Sequence, residues 1–173
     1  MMIVVYILAA ILAIFFILPL VMPGKYAIEK SITVNASPDK VYNNVADLNA
    51  YRDWNPWQKM EPGAKAVITG TPKTVGHKFD WEGKKIGQGS LTIKSVNSPN
   101  KVDIELEFIK PWKSIASDNW TFEDLKNGTT KVTWRNHGPL AYPMARLMGP
   151  LINKNLSAQF EQGLRDLKAL SEK

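Results

Sequence analysis

The chain opens with residues 1–22, MMIVVYILAAILAIFFILPLVM, which contain no charged side chain. This run constrains the protein more than any other feature. As a helix rising about 1.5 Å per residue, it is about 30 Å long, the thickness of a bilayer's hydrocarbon core. It is apolar on every side, so it has no face to turn to water. Pro19 lies near its far end, where a kink costs little, and Pro23-Gly24 ends it. The charged start of a secretion signal is missing, and the run outlasts a usual signal core. Val21, Met22 and Pro23 make no small-x-small cleavage site. The expectation is a transmembrane anchor over residues 1–23 and one domain over 24–173. Lys25, Lys30 and Lys40 follow the run and no lysine or arginine precedes it. The positive-inside tendency therefore puts the domain on the cytoplasmic side of a single-pass membrane protein.

With 173 residues, the chain has enough beyond the anchor for one real core. The net charge of +6 all falls beyond the apolar run. A basic surface permits contact with anionic lipid or nucleic acid, and also simply keeps a domain soluble. Lys84, Lys85, Lys110, Lys113 and Arg146 fall in expected loops, where they would add attraction to an anionic bilayer if they faced it. The absence of cysteine excludes disulfides, thiolate catalysis and cysteine-ligated zinc.

Beyond the anchor, hydrophobic periodicity of two dominates. Over Lys25–Asn35, Tyr26, Ile28, Ile32 and Val34 share one parity, as in a half-buried strand. Ser37-Pro38-Asp39 starts a helix: a serine cap, proline at the first position, an acid in the first turn. Val41, Tyr42, Val45 and Leu48 give that helix its apolar side. A second short helix is expected over Asn49–Trp54, ended by Asn55-Pro56. Strands follow over Ala64–Gly70, Gly76–Trp81, Gln88–Val96, Lys101–Ile109, Ser114–Asp124 and Thr129–Asn136. Asn127-Gly128 marks a hairpin turn between the last two. Ile152, Leu156, Phe160, Leu164 and Leu167 then line one face of a long helix over Leu151–Leu170. About seven strands and one long amphipathic helix make an α+β domain, a curved antiparallel sheet closing on the C-terminal helix.

This order resembles the helix-grip fold of the START-like (SRPBCC) superfamily, and within it the polyketide cyclase/dehydrase family. The resemblance rests on Ile28-Glu29-Lys30-Ser31-Ile32-Thr33-Val34-Asn35-Ala36-Ser37-Pro38-Asp39-Lys40-Val41-Tyr42, on Asp47-Leu48, on Trp54-Asn55-Pro56-Trp57, and on Phe160-Glu161-Gln162-Gly163-Leu164-Arg165-Asp166-Leu167-Lys168. It covers Tyr26 to Glu172. It implies a hollow between sheet and helix, on a scaffold that serves carriers, enzymes and regulators alike. It transfers no catalytic residue.

Six tryptophans in so small a domain suit a cavity wall as well as a core. The residues expected to line the cavity are Trp57, Phe79, Trp81, Leu106, Phe108, Trp120, Trp134, Asn136 and Phe160. Met144 and Met148 are expected to line it too; with Leu147 they lead into the last helix, where flexible side chains suit a gate over an apolar pocket and core packing alike. Asp103, Glu105 and Glu107 sit opposite the apolar parity of their strand and should face solvent. His77 and His137 are the two histidines. No His/Asp/Glu cluster has metal-ligand spacing, so neither metal nor cofactor is expected. There is no Ser-His-Asp order and no phosphate loop.

The leading reading is a membrane-tethered domain binding a hydrophobic or amphipathic small molecule: a lipid, a quinone or a polyketide-like compound. Its partners are that molecule and the bilayer through residues 1–22, with no nucleic acid expected; nothing in the pattern sets an oligomeric state. An alternative is a cyclase, dehydratase or hydrolase acting on an apolar substrate. That reading needs a polar group deep inside, with Asp80, Asn136, His137 and Tyr142 as candidates. A stress-linked regulator using the basic surface is a third.

Overall fold

The computed structural model describes residues 2–173; Met1, the first residue of the expected anchor, lies outside them. Helix α1 (Met2–Val21) is long and apolar enough to cross a membrane, and Pro19 is its one buried residue. Strand β1 (Lys25–Val34) begins four residues after α1 ends. Three short helices follow: α2 (Pro38–Ala46), α3 (Leu48–Trp54) and α4 (Pro56–Met60). Then come β2 (Lys65–Thr69), β3 (Lys78–Glu82), β4 (Gln88–Asn97), β5 (Lys101–Lys110), β6 (Ser114–Asp124) and β7 (Thr130–Pro139), and finally α5 (Met144–Ser171). The seven strands form one antiparallel sheet in the order β1-β7-β6-β5-β4-β3-β2. The sheet curves around α5, giving the α+β helix-grip architecture.

Local chemistry accounts for the elements. Ser37 Oγ accepts from the Lys40 N–H, and Asp47 Oδ1 from the Asn49 N–H, so each short helix starts on a side-chain cap. The same logic makes α4, which the sequence reading missed. Asn55-Pro56 ends α3 as expected, and it also starts the next helix: Asn55 Oδ1 accepts from the Trp57 N–H and Pro56 takes the first helical position. A stop and a cap use the same residues, and here Asn55 serves as both. Helix α5 also begins seven residues before the expected Leu151. Gly149-Pro150 reads as a break, yet the helix runs through it.

His77 is fully buried and ties two elements together. Its Nδ1 donates to the Thr69 carbonyl at 3.0 Å, and its Nε2 accepts from the Leu48 N–H at 3.1 Å, the first residue of α3. The two partners define the neutral tautomer.

The core follows parity. Val102 and Ile104 on β5, Trp120 and Phe122 on β6, and Val132 and Trp134 on β7 all point inward and are at most 3 % exposed. Helix α5 covers them with Phe160, Leu164 and Leu167. Its contact with the sheet is aromatic. Trp134 stacks on Trp120 with centroids 4.4 Å apart and on Phe160 at 3.9 Å, while Trp54 and Trp57 meet it edge-on at 6.0 Å.

Gly163 explains how closely α5 approaches. A Cβ there would lie 3.0 Å from Trp134 Cζ3 and 3.2 Å from Pro56 Cδ. Trp134 is held between two rings and has nowhere to move. Gly163→Ala should therefore destabilise the domain by about 1 kcal/mol, because an overpacking cost of roughly 1–3 kcal/mol outweighs the helix-propensity gain of about 1 kcal/mol. Gly163→Val should cost more. Denaturant titration checks this, and a more stable Gly163→Ala would show that the stack can yield.

Candidate functional site

The aromatic stack fills only part of the hollow. Strand register divides the interior into two halves. One half lies toward the start of β1, where Tyr26 pairs with Gly138, Phe108 with Gly89, and Gly89 with Trp81. The other lies toward the Asn127-Gly128 turn and is packed solid with Trp120, Trp134, Phe122 and Val132. The cavity occupies the first half and has a volume of about 130 Å³. An apolar cavity of about 150 Å³ accommodates a benzene-sized guest, so this one has room for a single ring or a short branched chain.

Its wall is graded. Trp81, Ile86 and Phe108 surround the level nearest the start of β1. Phe79, Leu91 and Leu106 form the middle, on paired positions of β3, β4 and β5. Tyr51, Asn55, Trp57, Gln58, Leu156 and Phe160 close it from the helices. Asp118 and Asn136, directly paired across β6 and β7, form the deep end, with Tyr26 beside them. Gly89 is required by this arrangement. A Cβ there would meet the Glu107 carbonyl oxygen and lie 2.5 Å from Trp81 Cζ2, so the indole can lie across the strand only over glycine.

Of the residues expected at the wall, Trp57, Phe79, Trp81, Leu106, Phe108, Asn136 and Phe160 are brought together around the cavity. Trp120 and Trp134 do not line it. They share the inward parity but lie one level further along their strands, where stacking on each other and on Phe160 consumes the space. Met144 and Met148 do not line it either. Both are exposed on the first turns of α5, away from the cavity wall. The polar candidates sort similarly. Asp80 is on the outer face, paired with Lys78 at 2.7 Å. His137 lies on the opposite face from Asn136, against Asn119 Oδ1 at 3.2 Å. The Tyr142 hydroxyl donates to the Phe16 carbonyl on α1. Asp103 and Glu105 face outward, as their parity requires, in pairs with Lys101 and Lys94. Among the described residues, no group of three or more His, Cys, Asp or Glu side chains is placed to hold a metal ion.

Sequence reasoning missed Asp118, the one buried carboxylate in the cavity wall. The signal was available: Ala116, Asp118, Trp120 and Phe122 share a parity on one strand, so any argument that turns Trp120 inward turns Asp118 inward too. Asp118 is 3 % exposed. Trp134 Nε1 donates to its Oδ1 at 2.9 Å and Asn136 Nδ2 to the same oxygen at 2.8 Å. Oδ2 receives no side-chain hydrogen bond among the described residues. Burial pushes this carboxyl up from its ordinary 3.8 to about 7, and the donors Asn136 and Trp134 offset only part of the effect. Tyr26 is pushed up to about 12, first by burial and then by the Asp118 charge, so its hydroxyl stays protonated. Tyr51 is raised well above its ordinary value for the same two reasons. The site can thus hold a ring against apolar walls, present a protonated phenol, and exchange a proton near neutrality.

Residues 25–172 match the family described as polyketide cyclase / dehydrase and lipid transport. No curated protein sequence matches the chain. Solved structures share its fold at low identity. Protein CV1439 from Chromobacterium violaceum is 18% identical, over 88% of this chain and 99% of that one, with a TM-score of 0.62. Mll3558 from Rhizobium loti is 13% identical, over 82% and 96%, with a TM-score of 0.62. CalU16 from Micromonospora echinospora is 14% identical, over 84% and 75%, with a TM-score of 0.56.

The raised carboxyl has a consequence for stability. The folded state holds a proton on Asp118 between about pH 4 and pH 7, a range in which the unfolded chain has released it. Stability should therefore fall as pH rises through that window, by an amount on the order of 4 kcal/mol once complete. Asp118→Asn keeps an acceptor for Trp134 and Asn136 and removes the charge. Melting curves from pH 5 to 8 should show the variant flatter than the parent, and more stable at pH 8. Parallel curves would show that Asp118 does not carry the proton.

Proposed function

The chain belongs to the polyketide cyclase/dehydrase and lipid transport family, and from that membership we propose that it binds a small, mostly apolar molecule, with one polar end, while tethered to a membrane by α1. The observation that carries this reading is the graded cavity, whose walls are mostly aromatic and aliphatic, with the amides of Asn55 and Gln58 on the helix side and the Asp118–Asn136 pair at the deep end. Apolar walls supply affinity in proportion to the area removed from water. The polar pair supplies orientation, because Asn136 and Trp134 already occupy Asp118 Oδ1 and a guest with a polar end can bond to Oδ2, whereas an apolar guest leaves that oxygen without a partner. The available volume favours a single ring, such as a quinone or polyketide-like headgroup, over a whole acyl chain. Tethering raises the local concentration of any guest dissolved in the same bilayer. The lysines after α1 favour the cytoplasmic side for the domain.

The test uses the full chain in lipid nanodiscs and ligand-observed NMR with 4-methylphenol, toluene and decanoate. 4-Methylphenol should bind saturably, toluene more weakly because it satisfies neither polar group, and decanoate least because it is long and charged. Leu106→Trp fills the middle of the cavity and should abolish binding. Saturable binding that ignores Leu106→Trp, or no binding of any probe, would overturn the reading.

Asp118 favours a second reading, a cyclase-type activity. A carboxylate poised near neutrality can take a proton from the carbon next to a carbonyl, while the Tyr26 hydroxyl donates a hydrogen bond to the developing enolate oxygen. Deuterium exchange into acetophenone, followed by NMR between pH 6 and 8, should then rise with the ionisation of Asp118 and vanish in Asp118→Asn. Absence of exchange above the solvent rate would leave binding alone.

A further inference from the structure

Helix α1 does not hang from the domain by a free linker. The Tyr142 hydroxyl donates to the Phe16 carbonyl at 2.8 Å, and Arg146 Nη1 donates to the Pro19 carbonyl at 3.1 Å. The second bond fills a specific vacancy. In a helix the Pro19 carbonyl would accept from residue 23, which is a proline with no N–H to give. Arg146 supplies the missing donor, so the first turn of α5 caps the last turn of α1.

This fixes depth. Phe16 lies five residues before the end of α1, about 8 Å along the helix axis. A side chain that reaches the Phe16 carbonyl cannot stand clear of the bilayer if α1 spans it. The residues around that contact match such a position. Met144, Met148 and Leu151 are spaced i, i+4 and i+7 on α5 and are exposed, forming an apolar stripe that no part of the domain covers.

Strand register brings a second group to the same end. The β5–β6 hairpin closes after the Phe108–Ser114 pair, level with the start of β1 and the end of β7. Its tip is Trp112, which is 74% exposed. Exposed Lys110 and Lys113 flank it, and Lys84 and Lys85 lie on the neighbouring β3–β4 turn. None of these four lysines is in an ion pair among the described residues. Lysines on the outer face and at the far end, Lys94, Lys101, Lys126 and Lys131, are all paired with carboxylates. An exposed indole among unpaired lysines matches the headgroup region of an anionic bilayer in both polarity and charge.

We propose that the start of α5 and the tip of the β5–β6 hairpin are seated in the lipid headgroup region, docking this end of the domain flat on an anionic bilayer. The proposal rests on α1 spanning the membrane. It places the half of the interior that holds the cavity next to the lipid, so a bilayer-dissolved guest has a short path to it.

The chain has no native cysteine, so single-cysteine variants of the full chain can be labelled cleanly with an environment-sensitive fluorophore. Met148→Cys and Trp112→Cys test the docked surface. Ala10→Cys, in the middle of α1, reports on the span, and Asn127→Cys, on the far turn, is the solvent reference. Each is reconstituted into phosphatidylcholine–phosphatidylglycerol vesicles containing lipids spin-labelled at the headgroup or deep in the acyl chain. The Ala10 label should be quenched by the deep probe. The Met148 and Trp112 labels should be quenched by the headgroup probe at least threefold more than the Asn127 label. Replacing phosphatidylglycerol with phosphatidylcholine should weaken quenching at Trp112 more than at Met148. If Ala10 is quenched while Met148 and Trp112 match Asn127, the docking proposal is overturned and the anchor stands. If Ala10 itself escapes the deep probe, the span fails and the proposal falls with it.

Discussion

The stacking of Trp134 between Trp120 and Phe160 sets the dimensions of everything else in the domain. It joins β6, β7 and α5 through two nearly parallel contacts at 4.4 and 3.9 Å. Aromatic pairs contribute roughly 0.5–1.5 kcal/mol each beyond the area they bury, and edge-on neighbours such as Trp54 and Trp57 add further pairs. The more important effect is geometric. A ring held on both faces does not move, so α5 can approach the sheet only where it has no Cβ, at Gly163. Where that approach ends, toward the start of β1, the curved sheet and the helix separate and the cavity begins.

The cavity and the stack also share a polar group. Trp134 Nε1 lies in the core and needs an acceptor, and Asp118 Oδ1 provides it. That same carboxyl forms the deep end of the cavity. A carboxylate buried this thoroughly is costly when charged, and its two donors relieve only part of the cost. A neutral asparagine would satisfy Trp134 and Asn136 with less penalty. An acid thus stands where an amide would serve the packing, which is why the proposed role toward a guest falls to Asp118.

The junction of α1 with the domain follows from backbone chemistry. Pro23 leaves the Pro19 carbonyl without an intrahelical donor, and the early start of α5 brings Arg146 to it, while Tyr142, just before α5, reaches the Phe16 carbonyl. The seven residues by which α5 exceeds its expected start include Arg146, which donates to the Pro19 carbonyl of α1. They also carry Met144 and Met148 to the exterior. Methionines that suit a gate in sequence are thus exposed at the start of α5 and none lines the cavity.

By itself the sequence determined the apolar helix, the number and order of the strands, the cap of the first short helix and the face that α5 buries. All of these rest on contacts or periodicities that are local along the chain, with a repeat of two or about three and a half. The inward set of each strand was legible for the same reason, Asp118 included. Only the tertiary structure decided which inward residues pack and which face empty space. Trp120 and Phe108 have the same parity, but one meets Trp134 and the other meets a void, because the level at which α5 touches the sheet is set by Gly163, Pro56 and Trp134, residues far apart in the chain. The reach from Arg146 to the Pro19 carbonyl is likewise a long-range contact, and no repeat in a sequence encodes the distance between two elements that meet only after the sheet has curved.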